Sequence, residues 1–188
     1  MNHHIGFAIT GSFCTFRKAL NALSELAGTY TVTPIMSQAA WETDSRFGQA
    51  SQFRQEVEDL CKNKILHTLP EVEPLGPKKL LDLLVVAPCT GNTLGKLAGG
   101  IADSAPSFAV KAHLRNGRPV VLAVSTNDGL SGSAENFGKL LNRRHYYFVP
   151  FGQDNSAGKP CSLVADFSRL PDTVAAALEG QQLQPILL

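Results

Sequence analysis

Pro88-Cys89-Thr90-Gly91-Asn92-Thr93 follows directly on the apolar run at 80–87, so a buried strand ends there in a polar, glycine-containing elbow that opens a helix. The first turn of a helix leaves backbone N–H groups without partners, and an elbow of this kind grips phosphate. Thr10-Gly11-Ser12 stands at the same point behind the apolar residues 5–9, with a helical pattern at Phe16, Leu20, Leu23 and Leu26 after it. Two anion-gripping turns in one chain point to a phosphorylated cofactor. Gly-Xaa-Gly-Xaa-Xaa-Gly is absent after the first strand, where Thr10-Gly11-Ser12-Phe13-Cys14 stands instead, and this argues against a nicotinamide dinucleotide. Flavin mononucleotide (FMN) fits better.

FMN needs donors for a dianionic phosphate, an apolar slot for its ring system and directed hydrogen bonds to the polar ring edge. Gly11, Ser12, Ser37, Cys89, Thr90 and Thr93 offer backbone N–H groups and hydroxyls for the phosphate and the ribityl chain. Pro88, Ser125 and Thr126 belong to the same set of elbows, and the helix dipole beyond Thr90 adds attraction for negative charge. Asn92 suits the flavin edge or a substrate, and equally a helix-start hydrogen bond to its own backbone. Cys89, at a helix N-terminus, is expected to have a lowered pKa and a nucleophilic thiol. Asn127 and Lys159 are the candidates for substrate. Lys159 either holds an anion through charge-assisted hydrogen bonds or is a solvated surface lysine. No residue declares itself as a catalytic base: His67, His113 and His145 qualify by chemistry alone, with His113 expected in mid-helix and His145 at the opening of a strand.

Such residues need a scaffold that brings strand ends together. Apolar runs of strand length recur at 5–9, 30–36, 64–68, 81–87, 120–124 and 146–149, and helical patterns at 15–27, 49–62, 90–98, 104–116, 133–143 and 171–178. This alternation predicts an α/β fold, a Rossmann-like open parallel sheet with helices on both faces. In open sheets of this type ligands collect at the carboxyl ends of the strands, which selects the loops 10–15, 37–40, 88–93, 125–133 and 151–160. The tail at 180–188 is apolar at its end after a helix-stopping glycine, and is expected to pack on a neighbouring subunit.

At 188 residues the chain is expected to form a single domain over 1–188, since nothing in it reads as a linker. The net charge is +1 and the basic residues are scattered, which leaves no electrostatic footprint for nucleic acid. The longest apolar run is cut by Asp82 and Pro88, short of the ~20 residues of a membrane-spanning helix, and no charged-then-apolar leader precedes Gly6. The expected location is the cytoplasm. Cys14, Cys61, Cys89 and Cys161 lie far apart without paired spacing, which argues against a zinc site and a disulfide framework. His3 and His4 have no further ligand nearby, so no metal is assigned.

The chain resembles the flavoprotein superfamily of phosphopantothenoylcysteine decarboxylases, lantibiotic cysteine decarboxylases and flavin prenyltransferases. The match rests on Thr10-Gly11-Ser12, on Ala87-Pro88-Cys89-Thr90-Gly91-Asn92-Thr93 and on Lys96-Leu97-Ala98-Gly99-Gly100-Ile101-Ala102-Asp103, in that order and at the superfamily's spacing. The segments 114–123, 125–130 and 148–154, with Lys159-Pro160 and Gln182-Leu183-Gln184-Pro185, are similar over essentially the whole chain to a branch found in spore-forming bacteria. That resemblance implies FMN on this chain, a homo-oligomer, and as partner a dehydrogenase-type A subunit carrying NADP. It implies a part in oxidising dihydrodipicolinate, a small dicarboxylate, to pyridine-2,6-dicarboxylate in the cytoplasm of the mother cell during sporulation. Lys159-Pro160 also resembles the Arg-Pro segment with which flavin prenyltransferases hold the phosphate of their substrate.

The sequence departs from the superfamily at two places. The decarboxylases carry a catalytic histidine shortly before the strand that leads into Pro88, where this chain has Pro74 and Leu75. Their Pro-x-Met-Asn substrate motif is replaced by Ser125-Thr126-Asn127-Asp128-Gly129. Decarboxylation by that route is not expected, and a different substrate is. The alternatives that stay open are an FMN-dependent decarboxylase or flavin prenyltransferase, and a non-catalytic assembly subunit that kept the fold. Whether this chain or its partner carries out the redox step is open as well.

Overall fold

The computed structural model describes residues 3–188. Its parallel body consists of β1 (His4–Ile9), β2 (Thr31–Met36), β3 (Leu83–Cys89), β4 (Val120–Thr126) and β5 (Tyr146–Phe148), in the spatial order β2-β1-β3-β4-β5. β3 is buried along its whole length, as an unbroken apolar run must be when both faces of a parallel strand are covered. The helices are α1 (Phe16–Thr29), α2 (Gln38–Glu42), α3 (Ala50–Cys61), α4 (Leu69–Val72), α5 (Gly91–Gly99), α6 (Ala105–Leu114), α7 (Ala134–Leu141) and α8 (Leu170–Leu178).

Right-handed crossovers put helices on opposite faces once the strand order reverses, and here it reverses between β1 and β3. α1 packs on β2 and β3 beside α3 and α8, whereas α6 packs on β2, β3 and β4 beside α4 and α5. Between them Ile5, Phe7, Ile9, Leu23, Leu83 and Leu94 are fully buried in one continuous apolar core. α1 earns its place through Phe16, Ala19, Leu20, Leu23 and Leu26, buried at three- and four-residue spacing on one face.

The expected strand at 64–68 is corrected to a single point of pairing. Leu66 N–H donates to Pro34 O, and Leu66 O accepts from Met36 N–H, both at 2.9 Å. Pairing cannot run further back, because the next bond would need an N–H that Pro34 lacks. The side chain of Asn63 takes over there and donates to Val32 O at 2.7 Å.

Two short antiparallel strands, β6 (Phe151–Gly152) and β7 (Leu163–Ala165), depart from the all-parallel expectation. β7 pairs with the end of β4 through Ser125 and Thr126, so the loop between β6 and β7 returns to the carboxyl rim of the sheet. The tail, expected on a neighbouring subunit, lies on β6 of its own chain: Phe151 N–H donates to Ile186 O and Leu188 N–H to Phe151 O, both at 3.0 Å. These bonds cover an edge that would otherwise be unpaired. Gln182 does the same for β5, its amide bonding both the N–H and the C=O of Phe148 at 2.7 Å.

Candidate functional site

The ends of β1 and β3 are tied by a buried side chain. Thr10 Oγ1 donates to Pro88 O at 2.7 Å and accepts from Thr90 N–H at 3.2 Å. The end of β4 joins the same rim, with Ser12 Oγ 2.9 Å from Ser125 Oγ and Thr15 Oγ1 3.2 Å from Ser125 Oγ. Gly91 completes the junction. A Cβ there would stand 2.6 Å from Thr126 Oγ1, 2.8 Å from Asp128 Oδ1 and 2.9 Å from Ser133 Oγ, so only glycine lets α5 begin against this cluster. Asp128 holds the cluster together by accepting from Thr126 Oγ1 at 2.5 Å and from Ser133 Oγ at 2.9 Å.

Three elbows therefore converge, and donors are left over. Among the described residues, the main-chain N–H groups of Gly11, Phe13 and Cys14 carry no hydrogen bond, and neither do those of Gly91 and Asn92. Ser37 sits on the same rim: its N–H donates to Ile9 O at 3.0 Å, and its hydroxyl caps α2 by accepting from Ala40 N–H at 3.2 Å. Thr90 caps α5, accepting from Thr93 N–H at 3.1 Å. With that position filled, Asn92 is exposed and its side chain makes no hydrogen bond among the described residues, so the helix-start alternative for it is not realised. Pro88 and Thr93 are buried beneath the rim.

Cys89 corrects an expectation. Its side chain is fully buried, and burial pushes the thiol pKa up to about 12 instead of lowering it. Position at a helix N-terminus does not make a thiolate when the sulfur faces the core, because the anion would lose its hydration.

A cleft of ≈ 190 Å³ opens between these loops, and its lining includes Ser12, Ser125, Thr126, Asn127 and Lys159. Ser12, Ser125 and Thr126, predicted for cofactor, thus meet Asn127 and Lys159, predicted for substrate, whereas Gly11, Ser37, Pro88, Cys89, Thr90, Asn92 and Thr93 do not line this cleft. Lys159 Nζ stands 3.7 Å from Asp154 Oδ2, a loose, half-exposed pair. Lys18, Thr15 and Asp154 also line the cleft and were missed by sequence reasoning. For Lys18 the only signal was its place in the first turn of the helix behind the first elbow.

The three histidines separate. His113 is buried in α6 with Nε2 3.1 Å from Pro119 O, near the amino end of β4, and burial lowers its pKa to about 4. His145 precedes β5, and its main-chain oxygen accepts from Val120 N–H, again at the amino end. Neither belongs to the rim. His67 follows Leu66 at the carboxyl end of β2 and stacks on Trp41 at 3.8 Å between ring centroids, while the guanidinium of Arg54 lies 4.6 Å from the Trp41 ring. It lines a separate cavity of ≈ 350 Å³ together with Gln38, Glu42 and Ser104.

A sheet ordered β2-β1-β3-β4-β5, with its reversal between β1 and β3 and helices on both faces, defines a Rossmann-like α/β protein. The chain belongs to the flavoprotein family, whose family model matches residues 1–149. It is 42% identical over 185 residues to the B subunit of dipicolinate synthase from Bacillus subtilis (strain 168), covering 98% of this chain and 92% of that protein. The crystal structure of the dipicolinate synthase B subunit from Bacillus halodurans C matches with a TM-score of 0.91 at 42% identity, covering 100% of this chain and 98% of the other. The crystal structure of the FMN-dependent cysteine decarboxylase SpaF shares the fold, with a TM-score of 0.70 at 20% identity over 94% of this chain and 95% of the other.

Proposed function

We propose that this chain is the B subunit of a dipicolinate synthase, taking part with a dehydrogenase-type subunit in the oxidation of dihydrodipicolinate to pyridine-2,6-dicarboxylate. The observation that carries the reading is the cleft where Ser12, Ser125, Asn127 and Lys159 meet, on a chain similar along its length to the B subunit of dipicolinate synthase.

The free N–H groups of Gly11, Phe13, Gly91 and Asn92, with the hydroxyls of Ser12, Ser37 and Ser125, form a donor set that suits a phosphorylated flavin. Gly11, Ser12, Ser37, Thr90, Asn92, Ser125 and Thr126 would hold FMN, with Pro88, Cys89 and Thr93 shaping the floor beneath them. FMN, when bound, supplies a two-electron acceptor for a dihydropyridine ring. The chain's own part is to place the ring. Lys159 meets a carboxylate, Asn127 offers both a donor and an acceptor at the rim, and Ser12 and Ser125 orient the bound groups. A homo-oligomer and an NADP-carrying partner complete the reading, as the resemblance implies.

The test mixes purified chain with the dehydrogenase subunit, feeds dihydrodipicolinate and follows pyridine-2,6-dicarboxylate by absorbance. Product formation should rise when this chain is added; a rate indifferent to it sinks the reading. Flavin absorbance in the purified protein separates a cofactor-bearing subunit from a purely structural one.

A further inference from the structure

We infer that Lys18 is a second cationic grip in the cleft, and that Lys18 and Lys159 together select a ring bearing two carboxylates over a ring bearing one. This rests on the synthase reading above. The two lysines reach the cleft from different elements, Lys18 from the first turn of α1 and Lys159 from the loop between β6 and β7. Ser12, Ser125 and Thr126, placed above among the residues that would hold FMN, line the same cleft.

The charges in the cleft are unequal in a way that suits a dianion. The exposed side chain of Lys18 makes no hydrogen bond or ion pair among the described residues, whereas Lys159 stands 3.7 Å from Asp154. A single carboxylate is met by Lys18. A second carboxylate on the same ring draws Lys159 from Asp154, at little cost, because a half-exposed pair of that length contributes little. Asp154 thus holds Lys159 only loosely before a second carboxylate arrives.

The test titrates pyridine-2,6-dicarboxylate and pyridine-2-carboxylate into the full chain by calorimetry, for wild type and for Lys18→Met, Lys159→Met and Asp154→Asn. Methionine keeps the apolar stem and removes the charge. Wild type should prefer the dicarboxylate by about tenfold or more, the contribution of one charge-assisted contact, and both lysine variants should bring the two ligands within about twofold. Asp154→Asn, which removes only that weak pair, should leave the preference within about twofold of wild type. A Lys18→Met protein that keeps the wild-type preference, or a wild type with none, overturns the inference. If the preference is absent while the chain still stimulates synthesis in the partner assay, the synthase reading stands and this one falls. If the preference depends on Lys18 while synthesis ignores the chain, the dianion site stands without the synthase role.

Discussion

Ser12 Oγ lies 2.9 Å from Ser125 Oγ, although 113 positions separate them in the chain. β3 stands between β1 and β4, so the two hydroxyls meet beyond its end and join the loop after β1 to the end of β4. Ser125→Ala removes one partner of Ser12 and one of Thr15, which keep their bond to each other at 3.3 Å. The expected cost in stability is about 1 kcal/mol, with a larger fall in flavin content. Urea unfolding and flavin absorbance of the purified protein measure the two separately.

Asn92 is exposed and makes no hydrogen bond among the described residues, so its loss should leave the fold intact. Asn92→Ala is expected to lower flavin retention or turnover with an unchanged melting temperature. Equal flavin content and equal rate would remove it from the site.

Gly91→Ala brings a methyl to 2.6 Å from Thr126 Oγ1 and 2.8 Å from Asp128 Oδ1, and those atoms are already locked to each other. Crowding of this kind typically costs about 1–3 kcal/mol. A lower urea midpoint together with weaker flavin binding is expected, since α5 can relieve the clash only by moving off the rim.

His113 makes stability depend on pH. Its folded pKa of about 4 lies below the unfolded 6.5, so as pH falls below 6.5 the unfolded chain takes up a proton that the folded chain refuses. The contribution is fully present above pH 6.5, declines as pH falls towards 4 and is gone below that. The whole change is roughly 3 kcal/mol. Urea unfolding between pH 7.5 and pH 4 should show this decline in wild type, and His113→Gln should flatten it.

Cysteine reactivity should follow burial. Cys14 is exposed, whereas Cys61 and Cys89 are buried with pKa values pushed up to about 12. At pH 8 an aromatic disulfide reagent should modify Cys14 in the native protein and reach Cys61 and Cys89 only after denaturation. Rapid native labelling of Cys89 would contradict its inward placement.

The strands and helices that carry the site were legible in the chain because their signals are local. Apolar runs mark β1, β3 and β4, and Thr90 and Ser104 cap the helices that the turn chemistry assigns to them. The rim at the carboxyl ends of the strands, with Ser12, Ser125 and Asn127 upon it, follows from that alternation once the sheet is parallel, whereas Lys159 is brought to it by the antiparallel pairing of β6 and β7. β6 and β7 were not legible, because two or three residues carry no periodicity and their pairing depends on where β4 ends.

Local sequence by itself determined the parallel strands β1 to β5, the longer helices and the loops at the carboxyl ends of those strands, since caps, turns and apolar periods act over a few residues. Only the tertiary structure decided that the Cys89 sulfur faces the core, that the tail covers β6, and that Lys18 shares a cleft with Lys159. Each of these depends on the order and spacing of strands distant in the chain, and no short stretch of residues encodes such a distance.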